Sequence, residues 1–381
     1  MEPTSRYFNF ESARSRFGDR VDRYREFLYQ RDPLADNTVT ALAALPAGRG
    51  AKFLKTALDE GIEAVPDAPE ALKALFAQVD RVPFWVNWER IDRGGFAFRR
   101  AAVPVLLMLA LYSLPTMYSS PAGSKPLVAT KQLVDRAGQR LGETSAFVRL
   151  TCSPGGLKRF GDGFKINLKV RLMHAQVRRL LLRSGRWDEA WAMPINQAHM
   201  AGTLIAISAG VILKLQEIGF EFSPDEIDDM LHLWRYSGYL SGVEEELICS
   251  TLSDAQQLSE IILAIEGAPD EDSKALVQAL REMRSPLPES VDFPLTQEAL
   301  RSLTRSLLGE EVANSLDIPK TDFPPVIPIA NAVLGASSWV QLTVPGGREL
   351  FEYLGREFWG FAEGMTFKSA SEPPKKGERE Q

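Results

Sequence analysis

The chain has 381 residues, 45% hydrophobic and 25% charged, with a net charge of −6 and a pI of about 5.4. That composition can bury a large core and excludes global disorder, and the acidic balance without a long basic block excludes nucleic acid as the main partner. The two cysteines, Cys152 and Cys249, make no CxxC or zinc spacing, and one bridge would staple a chain of this length poorly, so the expected compartment is reducing and cytoplasmic.

The first residues, Met1 to Glu11, contain no apolar stretch of secretory length, so no export signal is expected. Between residues 8 and 31, Phe8, Phe10, Phe17, Val21, Tyr24 and Phe27 recur at helical spacing among arginines and acids. Asp36 or Asn37 is the expected cap in the loop-to-helix region 32–50, and Ala51–Glu60 and Glu70–Val79 read as short helices. The cluster Phe84, Trp85, Trp88 marks a core edge ahead of an apolar run, Ala101 to Met117. That run carries Pro104 and Pro115 and falls short of about twenty residues, and Met200 to Leu213 is shorter still. Both are expected as buried helices, and membrane association is not predicted.

Residues 125–150 form a helical stretch loosened at Gly138 and Gly142 and turned at Pro154-Gly155-Gly156. Ile166 to Arg183 is a helix stopped by Ser184-Gly185. Trp187 to Leu215 continues with a break at Pro194, and Ser223 caps a helix that runs through Trp234 and Arg235. Further helices follow over 252–285 and 294–316, then an extended proline-rich piece from Pro319 to Pro328 and a mobile tail from Ser369. Strands of period two are scarce and no repeat of solenoid period occurs, so the expected fold class is all-α, a single large helical domain. The expected organisation is an N-terminal helical extension over 1–80, a main domain over 81–320, an extended or helical segment over 321–368 and a disordered tail over 369–381.

One of only three histidines, His174, lies in Val170-Arg171-Leu172-Met173-His174-Ala175-Gln176-Val177-Arg178. Arg171 precedes it by three residues and Arg178 follows by four, spacings that share a helical face. Val170, Met173, Val177 and Leu181 supply apolar bulk. An imidazole on an apolar wall beside cations suits a haem, with nitrogen for the iron and arginine for the propionates. The competing reading is a core histidine with no ligand role. His199 and His232 have no HExxH or di-iron spacing and read as ordinary.

Three more stretches accompany this one: Arg140-Leu141-Gly142-Glu143-Thr144, Pro194-Ile195-Asn196-Gln197, and Leu233 to Gly242. In this order, over roughly residues 80–320, they resemble the haem-dependent oxygenases that include latex clearing proteins (rubber oxygenases) and MpaB-type oxygenases. The resemblance implies a globin-reminiscent helical core with a pocket for haem b, His174 as proximal iron ligand and dioxygen as co-substrate. It places Arg140 and Thr144 on the distal side, and it gives Arg171 and Arg178 to haem propionates or to a buried acid. Asn196 and Gln197 are expected to tie their helix to a neighbour, Gly238 and Gly242 to permit close packing, and Arg235 to reach a buried carboxylate.

Two departures bear on activity. Rubber oxygenases have a lysine where this chain has Glu143, and a base glutamate about sixteen residues before the arginine. Here the segment Ser119 to Lys125 contains no acid. Glu143 is the remaining candidate base, on condition that it is buried near the cofactor. The missing glutamate weighs against polyisoprene cleavage. The expected function is therefore an oxygenase acting on an apolar small molecule, an unsaturated lipid or isoprenoid-like compound. The alternatives are a non-catalytic haem carrier or sensor, and a helical interaction protein that has lost the haem.

Overall fold

The computed structural model describes residues 6–129, 137–282, 297–324 and 326–371, with side chains from 139 in the second stretch and to 360 in the last. Among these residues all regular structure is helical except one isolated bridge between Phe8 and Glu266.

Helices α1 (Phe10–Phe17) and α2 (Asp19–Leu28) meet at Gly18, where φ is +61°. α2 buries Val21, Tyr24, Phe27 and Leu28, the aromatic periodicity read from the sequence. α3 (Pro33–Ala43) starts earlier than expected. Its cap is Asp32, whose carboxylate accepts the Ala35 N–H at 3.1 Å, with Pro33 in the first turn. Asp36 sits one turn inside, where an acid also suits the helix dipole, so the two aspartates compete for the same sequence signal. α4 (Arg49–Glu60) and α5 (Glu70–Val79) follow close to their expected spans.

Asn87 caps α6 (Trp88–Arg100). The apolar run that follows is not one straight helix. α7 (Ala102–Met108) widens into a π turn at Leu109–Ser113 before α8 (Leu114–Tyr118), and the α7–α8 run is bent 80° from α6. Pro115 removes a helical N–H and crowds the preceding turn, and the widened turn relieves that crowding. α9 (Pro121–Ala129) follows, and α10 (Ala137–Thr151) and α11 (Asp162–Arg183) carry the first two family-like stretches. α11 stops at Ser184 with Gly185 at φ +66°, as expected.

α12 (Gln197–Ile207) and α13 (Ala209–Glu217) make an apolar run long enough to cross a membrane, but most of it is buried against other helices. α14 (Pro224–Leu240) and α15 (Leu252–Ile265) both open with reciprocal capping boxes, at Ser223/Glu226 and Thr251/Asp254. α16 (Glu271–Glu282), α17 (Gln297–Leu308), α18 (Glu310–Ser315), α19 (Ile327–Thr343) and α20 (Gly347–Ser371) complete the chain. The proline-rich piece does not stay extended to Pro328: α19 begins at Ile327, because Pro328 fits its first turn. The segment expected as a tail from Ser369 begins as the end of α20, and 372–381 lie outside the described residues.

α14 is the spine of the fold and packs along α6. A Cβ at Gly94 would overlap the Asp229 carbonyl, so glycine sets how closely these two helices approach. One continuous core runs from Tyr7 and Phe8 through Trp234 and Tyr236 to Trp359. The N-terminal stretch and α20 thus share the same apolar interior as the middle of the chain.

Candidate functional site around His174

Seven residues make nearly two helical turns, so Arg171 and Arg178 leave α11 in almost the same direction. Both point at α3 and are buried. Arg171 Nε and Nη2 meet the Asp32 carboxylate at 2.5 and 3.0 Å, and its Nη1 reaches Gln78 Oε1 at 2.7 Å. Arg178 bonds the Asp36 carboxylate and donates to the carbonyls of Pro194 at 3.1 Å and Ile195 at 2.7 Å. Of the two partners expected for these arginines, the structure supplies the buried acid. Their guanidinium donors are engaged by protein groups: Asp32 and Gln78 for Arg171, Asp36 and two carbonyls for Arg178.

His174 lies between them in sequence but to one side in angle. It is partly buried, and its Nδ1 is buried with no hydrogen-bond partner. Loss of hydration pushes the imidazole pKa down to about 4, helped by the charges of Arg178 and Arg140 and opposed by Asp32. The ring is therefore neutral at physiological pH, with lone-pair nitrogen available to a metal. The apolar wall is less closed than expected: Leu181 is buried and Val170 and Val177 are partly buried, but Met173 is 43% exposed.

α10 packs on α11 and brings Arg140 within electrostatic reach of His174. Arg140 Nε is buried without a partner, and its guanidinium faces the buried Tyr118 phenol, whose pKa burial raises and Arg140 lowers. Thr144 follows one turn later, partly buried like Arg140. Glu143 does not meet its condition. It is exposed, and it accepts a hydrogen bond from Gln139 Nε2 at 2.9 Å. Arg140 and Thr144, one turn apart, are both partly buried where Glu143 is open to solvent.

These residues fit a haem on the donor side. A neutral imidazole with one orphaned nitrogen and a partly unsatisfied guanidinium converge from α11 and α10. Among the described residues no three His, Cys, Asp or Glu side chains cluster as a metal site.

The catalytic-domain model described as ER-bound oxygenase mpaB/B'/Rubber oxygenase matches residues 88–333. The chain belongs to this family. Rubber oxygenase from Streptomyces sp. (strain K30) is 26% identical over 258 residues, which cover 66% of this chain and 61% of that protein. The match thus spans less than two thirds of the relative's length. The structure of latex clearing protein LCP in the closed state superposes with a TM-score of 0.69, covering 87% of this chain and 90% of that one at 22% identity. That likeness shows a shared all-helical fold.

The other rubber oxygenase-like stretches are structural here. Asn196 caps α12 by accepting the His199 N–H at 2.8 Å. The Gln197 side chain donates to the Gly242 carbonyl at 3.0 Å and accepts the Glu244 N–H at 2.9 Å, the tie expected of it. A Cβ at Gly238 would press on Leu204 and Ile248. Arg235 does not reach a buried carboxylate: it lies 4.0 Å over the Trp85 ring and 3.4 Å from the exposed Glu245. The remaining histidines are built into the fold. His232 Nε2 accepts the Asn87 N–H at 3.0 Å, and His199 Nε2 lies 3.4 Å from the partly buried Glu266 carboxylate, which accepts from Ser120 at 2.7 Å.

Sequence reasoning missed Asp32, the residue that anchors Arg171. The signal was present as an acid immediately before Pro33, a helix-start pattern. It also missed Asn167, buried one turn before Arg171, whose amide joins Thr151, Ser237 and Ser241. No periodicity argument separates such an asparagine from an exposed one.

Proposed function

We propose that this chain is a haem b-dependent oxygenase that uses dioxygen on an apolar, unsaturated lipid or isoprenoid-like substrate, with His174 holding the iron. The observation that carries the reading is the neutral imidazole of His174, with an orphaned buried nitrogen, within electrostatic reach of Arg140 on the neighbouring helix. The name of the Streptomyces relative supports an isoprenoid-like substrate class. When bound, haem supplies an iron centre that activates dioxygen. Arg140 offers a guanidinium N–H, and Thr144 a hydroxyl, for hydrogen bonds to an oxygen-bearing group at the site. Arg171 and Arg178 act further out. Their buried pairs with Asp32 and Asp36 fasten α11 to α3 and so hold the backbone from which His174 projects. The free cysteines are in keeping with a reducing, cytoplasmic setting.

A haem carrier or sensor without turnover is the second reading. It is favoured by the exposure of Glu143 and the lack of any acid between Ser119 and Lys125. The test is direct. Protein produced with added haem precursor should show a Soret band, and His174→Ala should lose it while keeping its helical circular dichroism. A colourless wild type overturns both readings. Oxygen consumption by the reduced protein across a panel of unsaturated lipids and isoprenoids supports the oxygenase, and no consumption across the panel supports the carrier.

A further inference from the structure

A cavity of about 220 Å³ opens between the π turn and α8 on one side and α16 and α17 on the other. Leu111, Pro115, Val277, Leu280 and Leu300 make an apolar floor, and Arg281 and Arg301 stand at its edge. None of the residues around His174 lines it.

The charge balance at this cavity is unequal. Arg301 is matched by Glu298, its neighbour one turn back, at 2.7 Å. Arg281 is partly buried and has no hydrogen-bond or ion-pair partner among the described residues. Burial and the adjacent Arg301 charge pull its pKa below the ordinary arginine value, with only Glu282 opposing. A half-buried guanidinium held beside a second one over hydrocarbon is unfavourable unless an anion completes it. Glu282, also on the rim, is exposed and accepts from Gln278 Nε2 at 2.7 Å, so the Arg281 fork stays open; one open fork matches one carboxylate better than a diphosphate and can donate to it bidentately.

We infer that this cavity is a binding site for an apolar chain ending in a carboxylate, of the fatty-acid class, with Arg281 taking the head group. The site stands apart from the haem reading and can be tested whether or not the protein binds haem.

The experiment titrates the full-length protein with the fluorescent fatty acid cis-parinarate, with its methyl ester and with geranyl diphosphate as competitor. Saturable binding of the acid is expected, with the ester weaker by about tenfold, the scale of one lost charged hydrogen bond. Arg281→Leu should weaken the acid by a similar factor and leave the ester unchanged, while Arg281→Lys should retain most of the affinity. Val277→Trp should exclude both probes by filling the floor. Equal binding of acid and ester by the wild type overturns the inference, as does unchanged acid binding in Arg281→Leu. Displacement by the diphosphate at lower concentration than by the acid overturns the carboxylate assignment. Should Arg281→Leu fail to fold, the acid-to-ester ratio of the wild type and of Arg281→Lys decides the matter.

Discussion

Arg171 grips Asp32 through two parallel contacts, at 2.5 and 3.0 Å, across 139 residues of sequence, with both side chains almost fully buried. Asp32 also caps α3, so one carboxylate joins a helix start to the middle of α11. Removing one partner of a buried pair leaves the other charged and unsolvated. Asp32→Ala should therefore cost about 3–5 kcal/mol in urea unfolding. The double variant Asp32→Ala/Arg171→Met should recover part of that loss. A double variant less stable than the single one would show that the pair is not the source of the cost.

Gly242 sits against this pair at φ +76°, and a Cβ there would overlap both the Asp32 carboxylate and the Arg171 guanidinium. Gly242→Ala meets two penalties, the left-handed backbone and the displaced ion pair. A loss of about 2 kcal/mol or more is expected from the thermal midpoint and from urea curves. Gly185→Ala has a comparable φ of +66° but open space around it, so it should show only the backbone part.

The pH dependence follows from the depressed pKa of His174, about 4 against 6.5 for the unfolded chain. Between those values the unfolded state binds a proton that the folded state refuses, so stability falls as the pH drops from 6.5 to 4. The histidine's share of that fall is at most about 3.5 kcal/mol. His174→Gln should flatten this limb of the stability profile in haem-free protein.

Arg140 and Glu143 are three residues apart on α10, but Arg140 is partly buried while Glu143 is exposed and bonded to Gln139. Arg140→Ala should lower the rate of oxygen consumption by about 10²-fold, the scale of losing one charge-stabilising donor, while leaving the Soret band in place. Glu143→Gln should change the rate by less than about twofold, since an exposed carboxylate contributes little to a buried reaction site. A large loss in Glu143→Gln would restore that residue as the base.

Most helix starts were legible because they depend on neighbours within four residues. Ser223, Asn196 and Ser184-Gly185 each announce an end that local hydrogen bonds then make. Periodicity likewise located α2, α5 and α11. The placement of His174 in a helix beside two arginines was correct as a spacing. What the arginines do was open between two partners, because a guanidinium has the same appeal for a propionate and for an aspartate 139 residues away.

By itself, then, the order of residues determined an all-helical chain and its family, since each depends on short-range pattern. Only the tertiary structure decided that Asp32 and Asp36 occupy Arg171 and Arg178, that Glu143 faces water, and that the apolar run after Arg100 bends at a π turn. Those outcomes depend on which helix packs against which. Burial and charge compensation are properties of the assembled interior, and a linear spacing holds no information about the partner that arrives from a distant segment.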